Sequence, residues 1–154
     1  MDKNVFLDKI REFKRVMEEH KIMMKENAKN VFTEISKDIF TNNPQLNSFS
    51  WNQYTPYFND GETCYFSVNR DYYKINNSDD TIDSWTLNHE VYRQDLDLEE
   101  LGFDSLESLK KAYNDIDELM NIFDDSDLEE MFGDHAEVTV SRNDGVTVDG
   151  YDHD

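Results

Sequence analysis

The chain opens with 43 residues that contain neither Gly nor Pro. Apolar side chains recur in this stretch at intervals of three and four residues, which places them on one side of an α-helix. The pattern predicts a single helix from Lys3 to about Phe40. Such a helix would be about 55 Å long, whereas a domain of this chain length is only roughly 30–35 Å across. It must therefore either break and pack on its own domain, or project and contact a partner.

The predicted helix carries an apolar stripe suited to pairing with another helix. Its members are Phe6, Ile10, Phe13, Met17, Met24 and Val31, with Val16, Met23, Phe32, Ile35 and Ile39 beside them. The spacing 6, 10, 13, 17, 20, 24, 27, 31 is that of a coiled-coil seam, with His20 and Asn27 as polar members. Two interpretations stay open: packing on the chain's own domain, and a homodimer through the N-terminal helix.

Residues 41–93 have the composition of a small antiparallel sheet. Asn42-Asn43-Pro44 ends the helical pattern, because the residue before a proline is driven out of the helical conformation. Aromatic and β-branched residues follow, and Asp60-Gly61 between two such runs predicts a hairpin. We further expect a strand at Tyr72–Ile75, a polar loop at Asn76–Asp83 and a strand at Trp85–Tyr92.

Residues 94–134 return to helical spacing. A short helix is expected to end at Gly102, and Asp104 or Ser105 is expected to cap a second helix that runs to about Phe123. A cap at Asp124 predicts a third, shorter helix.

The end of the chain predicts a second hairpin. Residues 135–149 alternate around Asn143-Asp144-Gly145, and residues 150–154 are expected to form a tail. The fold class predicted for the single domain of residues 1–154 is α+β. It combines a long N-terminal helix, a small central antiparallel sheet, acidic C-terminal helices and a terminal β-hairpin.

Negative charge is concentrated in the C-terminal part. The chain holds 35 Asp and Glu against 15 Lys and Arg, a formal net charge of −20. Residues 1–40 carry a net +1, residues 41–93 a net −4 and residues 94–154 a net −17. The stretch Asp95–Asp134 alone contains 15 carboxylates and two lysines.

Charge and missing motifs exclude several classes of function. Nucleic-acid affinity rests on Lys and Arg that release counterions, so we expect no direct nucleic-acid binding, and anionic membrane surfaces are excluded likewise. The chain has no Gly-rich phosphate loop, no Gly-x-Ser-x-Gly, no His-Glu-x-x-His and no Cys-x-x-Cys, which predicts a protein that is not an enzyme and has no cofactor. The lone Cys64, the lack of a leader pattern and the short apolar runs favour the cytoplasm.

The acidic run approaches the linear charge density of a nucleic-acid strand. A helical run of this composition presents roughly one carboxylate per 4 Å of rise, and one DNA strand carries a phosphate about every 3.4 Å. Apolar residues on one side of the helices turn the acids to the other side. The nine acids expected to contact a basic partner protein are Asp104, Glu107, Asp115, Glu118, Asp124, Asp125, Asp127, Glu129 and Glu130. The alternative is a solvated acidic face without a partner.

No metal site is predicted. A calcium loop that begins at Asp125 would place Asp127 and Glu129 correctly, but its sixth position holds Glu130 where Gly is required. His135 and His153 lie beside aspartates without forming a spaced pair. We therefore expect adventitious cation binding at most.

Residues 48–62, with the sequence SFSWNQYTPYFNDGE, resemble a segment of small, uncharacterised proteins encoded by tailed phages. This likeness implies a phage setting, and hence the host-cell cytoplasm, but carries over no activity. By composition, the chain is similar to phage-encoded DNA mimics that block defence nucleases. Together with the acidic run, this predicts an inhibitor that competes with nucleic acid for a basic host protein. The alternative is a structural or assembly protein that oligomerises through its N-terminal helix.

Overall fold

The computed structural model describes residues 3–57, 61–89 and 96–152. Its architecture is α+β, as predicted, with one long helix, a five-stranded antiparallel sheet and a group of C-terminal helices. Within these ranges, none of the helices combines the length and the apolar composition that crossing a membrane requires.

Helix α1 spans Lys3–Asn42 without a break, which makes it about 60 Å long. Two side chains hold its C-terminal end. Asn43 Nδ2 donates to Ile39 O at 2.8 Å, and Lys111 Nζ donates to Asn42 O at 2.8 Å. The lysine places a positive charge at the negative end of the helix dipole. The predicted helix and its end before Pro44 are therefore confirmed.

Strand β1 (Ser48–Tyr54) is the centre of the sheet. Strand β4 (Ala136–Ser141) pairs along one edge of β1, and β5 (Gly145–Gly150) pairs with the outer edge of β4. Two short strands, β2 (Ser67–Val68) and β3 (Lys74–Ile75), share the other edge of β1. All these pairs are antiparallel, which confirms the predicted sheet.

The central hairpin differs from its prediction in length. Strands β1 and β2 pair antiparallel, but the pair next to the connection is Tyr54–Ser67, so 12 residues join them. Pro56 lacks the N–H that a ladder requires, and residues 63–66 form no strand. Of the predicted Asp60-Gly61 turn, Asp60 lies outside the described residues.

The strand predicted at Trp85–Tyr92 is wrong. Ser84–Asn88 forms a short helix, α2, and residues 90–92 of the prediction lie outside the described ranges. The physical reason is the cap: Asp83 Oδ1 accepts a hydrogen bond from Thr86 N at 2.8 Å. Such a side-chain contact offers the backbone an alternative to strand pairing.

The C-terminal helices begin at side-chain caps, two of them as predicted. They are α3 (Leu98–Leu101), α4 (Leu106–Ile122) and α5 (Asp125–Phe132). Ser105 caps α4 and Asp124 caps α5, whereas the cap of α3 is Asp97. Gly102 ends α3 with a φ of 86°, a left-handed conformation that favours glycine.

Strands β4 and β5 form the predicted terminal hairpin, but the tail after it begins later than expected. Gly150 belongs to β5. Tyr151 N then donates to His135 O at 2.8 Å, and the Tyr151 ring lies 5.4 Å from that of Tyr54. Residues up to Tyr151 are therefore held by the sheet.

The core lies between the sheet and helices α1, α4 and α5. The Phe32 ring of α1 is fully buried, with centroids 5.3–5.9 Å from the rings of Trp51, Phe123 and Phe132. Helix α4 contributes the buried face formed by Leu109, Ala112, Tyr113, Ile116, Leu119 and Met120. The hydrophobic residues of α1 that pack here are Ala28, Phe32, Ile35, Ile39 and Phe40. Among the side chains of α1 that the structure describes, those in the core all come from its C-terminal part.

Candidate interaction surfaces

The first 25 residues of α1, which we call the projecting segment (residues 3–27), contribute none of their described side chains to the core. Every described side chain from Val5 to Asn27 is exposed, apart from a half-buried Ile10. The side chains of Phe6 and Met24, two members of the predicted seam, are outside the described set. At about 1.5 Å per residue, the segment extends about 37 Å.

An apolar surface runs along the projecting segment. We call Ile10, Phe13, Val16, Met17 and Met23 the stripe. Phe13 is 66% exposed and Met23 is 63% exposed. At 100° per residue, the stripe is centred roughly 100° around the helix from the residues that enter the core. The sequence had grouped Phe32, Ile35 and Ile39 with these residues. Eighteen residues are five helical turns, so Ile10 lies in line with Ala28 and Met17 in line with Ile35, and the two sets overlap at one edge. Phe13, Val16 and Met23 lie outside the direction that the core uses.

The centre of the core-facing direction, continued into the projecting segment, is basic. It carries Lys14, Lys21 and Lys25. Lys21 and Lys25 line a cleft of about 310 Å³ together with Asp127 and Glu130 of the C-terminal helices. Two of the nine predicted acids therefore face lysines of the same chain.

Asp115, another of the nine, joins two helices. Its Oδ2 accepts hydrogen bonds from Asn43 Nδ2 at 2.8 Å and from Lys111 Nζ at 3.4 Å. Lys111 also donates to the end of α1, so this cluster ties α4 to the base of the long helix. A half-buried carboxylate held in this way positions α1.

Asp125 pairs with a cation from the central region. Arg70 Nη2 donates to Asp125 Oδ1 at 2.8 Å and to Phe123 O at 2.8 Å, and Arg70 Nη1 donates to Met120 O. The guanidinium thus holds the junction between α4 and α5 against the segment after β2. Asp125 is engaged within the chain.

Asp124 and Asp127 form the cap of α5. Asp124 Oδ1 accepts from Asp127 N at 2.8 Å, and Asp127 Oδ2 accepts from Asp124 N at 3.3 Å. This reciprocal capping box satisfies backbone N–H groups that the helix leaves unpaired. Both carboxylates are exposed, but their position is set by the helix start.

The remaining members are Asp104, Glu107, Glu118 and Glu129. All are exposed except Glu129, which is half-buried. Glu107 and Glu118 lie on the same side of α4, because 11 residues bring a helix back to within about 20°. Lys111 falls between them on that side, so the row of carboxylates along α4 contains a positive charge.

Shifted pKa values identify structural contacts. Burial raises the pKa of Tyr73, as does its hydrogen bond to Asp117 Oδ1 at 2.6 Å. Burial also favours a higher pKa for Asp134, but hydrogen bonds from Thr55 and His135 outweigh this and lower it. Within the described residues, no group of three or more His, Cys, Asp or Glu side chains is arranged to hold a metal ion.

Comparison of the chain with protein-family models, curated proteins and solved structures gives no match. The function is therefore argued from the geometry of these surfaces.

Proposed function

We propose that this chain is a non-enzymatic assembly protein, in which the projecting segment of α1 joins it to a second copy. The observation that carries this proposal is the exposed stripe on a helix whose described side chains from Val5 to Asn27 do not enter the core. Most of the stability of a protein helix comes from tertiary packing of its apolar face, and the exposed members of the stripe do not belong to the core. Pairing supplies the contacts that the chain's own core does not.

The size of the exposed surface supports self-association. Fully burying a large apolar side chain contributes about 1.5–3 kcal/mol. Phe13, Val16, Met17 and Met23 are 48–66% exposed, so burying what remains of them on two copies supplies about half of the full value, on the order of 6–12 kcal/mol. Association costs roughly 4–15 kcal/mol in lost translational and rotational freedom. The gain is of the same size as this cost, so the expected dimer is one that dissociates on dilution.

The first expected result is a dimer that depends on Phe13. Light scattering during size-exclusion chromatography should give twice the chain mass of 18.3 kDa at high concentration, falling toward the monomer on dilution. Phe13→Ala should weaken the dimer at least about 100-fold, because two buried rings are lost and each 1.4 kcal/mol is about a factor of ten.

The matched control is Ile22→Ala. Ile22 is also exposed on α1, but it lies half a turn from Phe13. This variant should dimerise like the unmodified chain. A monomer at all concentrations, or an equal loss for both variants, would contradict assembly through the stripe.

A second candidate function is competition with nucleic acid for a basic protein, as the composition and the phage likeness suggest. The observation in its favour is the exposure of Asp104, Glu107, Glu118 and Glu130 on the C-terminal helices. Electrostatic steering by such groups speeds association and makes it sensitive to salt. Asp115 and Asp125 contribute less, because cations of the same chain already contact them.

The test of this second candidate is capture from a nuclease-treated host lysate. Retained proteins should be nucleic-acid-binding, and about 0.5 M salt should release them because screening shortens the range of the charges. Neutralising Glu107, Glu118 and Glu130 to glutamine should weaken binding at least tenfold. Neutralising the exposed Asp144, Asp149 and Asp152 to asparagine is the control for net charge alone. An equal effect of both triple variants would contradict a defined acidic site.

A further inference from the structure

We propose that the two projecting segments pair antiparallel. The acidic remainder of each chain, residues 41–154, which we call the body, then lies at the opposite end of the dimer from the body of the second copy. The inference rests on the proposed assembly through the stripe and adds its geometry. Three observations support it: the charge of the body, the residues that flank the seam, and the position of His20.

The body of each chain carries almost all of its charge. Residues 41–154 hold six Lys and Arg against 27 Asp and Glu, a net charge of −21, whereas residues 3–27 hold seven against five. A parallel pair would place two such bodies side by side at one end of the helices. An antiparallel pair separates them by about 37 Å of helix, which is several times the Debye length of about 8 Å at physiological salt. Repulsion between the bodies therefore favours the antiparallel arrangement.

The residues that flank the seam of the projecting segment also favour the antiparallel arrangement. Leu7, Lys14 and Lys21 occupy one flank, and Lys9, Val16 and Met23 occupy the other. In a parallel coiled coil, opposite flanks meet, so that Lys9 would face Lys14 of the second copy at both edges. In an antiparallel pair, like flanks meet: Val16 then meets Val16 of the second copy, while Met23 and Leu7 lie against the aliphatic stems of Lys9 and Lys21. One lysine–lysine contact remains, between the two Lys14 side chains, where the parallel pair has two.

The antiparallel arrangement also suits His20, the polar member of the seam, better than the parallel one. A parallel pair in register stacks His20 against His20 of the second copy. Full antiparallel overlap of residues 3–27 instead sets Phe13 opposite Met17 of the second copy, and His20 opposite Ile10 of the second copy. Each imidazole then meets an apolar side chain and can reach the solvent at the edge of the seam.

The experiment measures distances between spin labels on the full chain. Three single-cysteine variants, Asp8→Cys, Arg15→Cys and Ile22→Cys, are made in a Cys64→Ser background. These positions are exposed and lie at intervals of seven residues on the side of α1 away from the stripe. A parallel dimer gives three equal distances. The antiparallel dimer gives a short Arg15 distance, and the Asp8 and Ile22 pairs are displaced along the axis by about 21 Å.

The outcomes separate the inference from the proposed function. Light scattering first establishes whether each labelled variant keeps the mass of a dimer. Three equal distances within a dimer overturn the antiparallel arrangement and leave assembly through α1 intact. The absence of a dimer for the unlabelled chain overturns both. An Asp8 distance that exceeds the Arg15 distance, in a variant of dimeric mass, supports the inference.

Discussion

Replacing Phe32 by alanine is expected to lower the free energy of unfolding by about 3–5 kcal/mol, the range measured for truncation of buried aromatic side chains. Phe32 is fully buried, and its ring contacts those of Trp51, Phe123 and Phe132. The substitution leaves a cavity where α1 meets the sheet and α5. Urea unfolding followed by the fluorescence of the two tryptophans, Trp51 and Trp85, measures the loss.

Phe13→Ala is the matched variant, because it makes the same change on the same helix at an exposed position. At concentrations where the chain is monomeric, it should change the free energy of unfolding by less than about 0.5 kcal/mol, as substitutions away from the core usually do. A loss comparable to that of Phe32→Ala would show that the projecting segment packs on its own body, and would contradict its assignment as an assembly surface.

The contrast between these two phenylalanines shows what the sequence alone can predict for α1. Helical spacing and the absence of Gly and Pro are local properties, so they predicted the extent of the helix. They also suggested one broad apolar surface. Only the packed core shows that α1 buries the side centred on Phe32 from Ala28 onward, and that Phe13, Val16 and Met23 lie on another, exposed side before it.

The roles of the acids depend on residues far away in sequence. Asp115 contacts Asn43, 72 positions earlier, and Asp125 contacts Arg70, 55 positions earlier. A charge count treats every carboxylate alike, and it cannot tell which are paired by tertiary contacts. Caps are different, because Ser105 and Asp124 act on residues three positions away. Those two caps were predicted.

The incorrect prediction of a strand at Trp85–Tyr92 shows how much one side-chain contact can decide. Apolar alternation over so few residues fits a strand or a helix almost equally well. The side chain of Asp83 decides between them, because it accepts a hydrogen bond from the first turn of α2. An aspartate before Ser84 was the available local signal for a cap.

Gln53 has a structural role that no pattern in the sequence indicated. It lies on β1 and is fully buried. Its Nε2 donates to Leu128 O at 2.9 Å and to Gly133 O at 2.8 Å, while its Oε1 accepts from Trp51 Nε1 at 2.9 Å. One amide therefore ties the middle of α5 and the residue after its C-terminal end to the sheet, and with them the acids Glu129 and Glu130.

Gln53→Leu is expected to destabilise the fold by about 2 kcal/mol or more, because each buried polar group left without a partner costs about 1–3 kcal/mol. Two such groups remain, the indole N–H of Trp51 and the carbonyl of Gly133; the carbonyl of Leu128 lies inside α5 and keeps its helical hydrogen bond. Asn52→Leu is the control, since successive strand residues point to opposite faces and Asn52 is only half-buried. It removes one hydrogen bond, from Asn69 Nδ2, and its cost should stay within about 1 kcal/mol. Urea unfolding at monomer concentrations measures both. Equal losses would mean that the two groups find other partners, and that the position of α5 on the sheet rests on apolar packing of Leu128 and Phe132 instead.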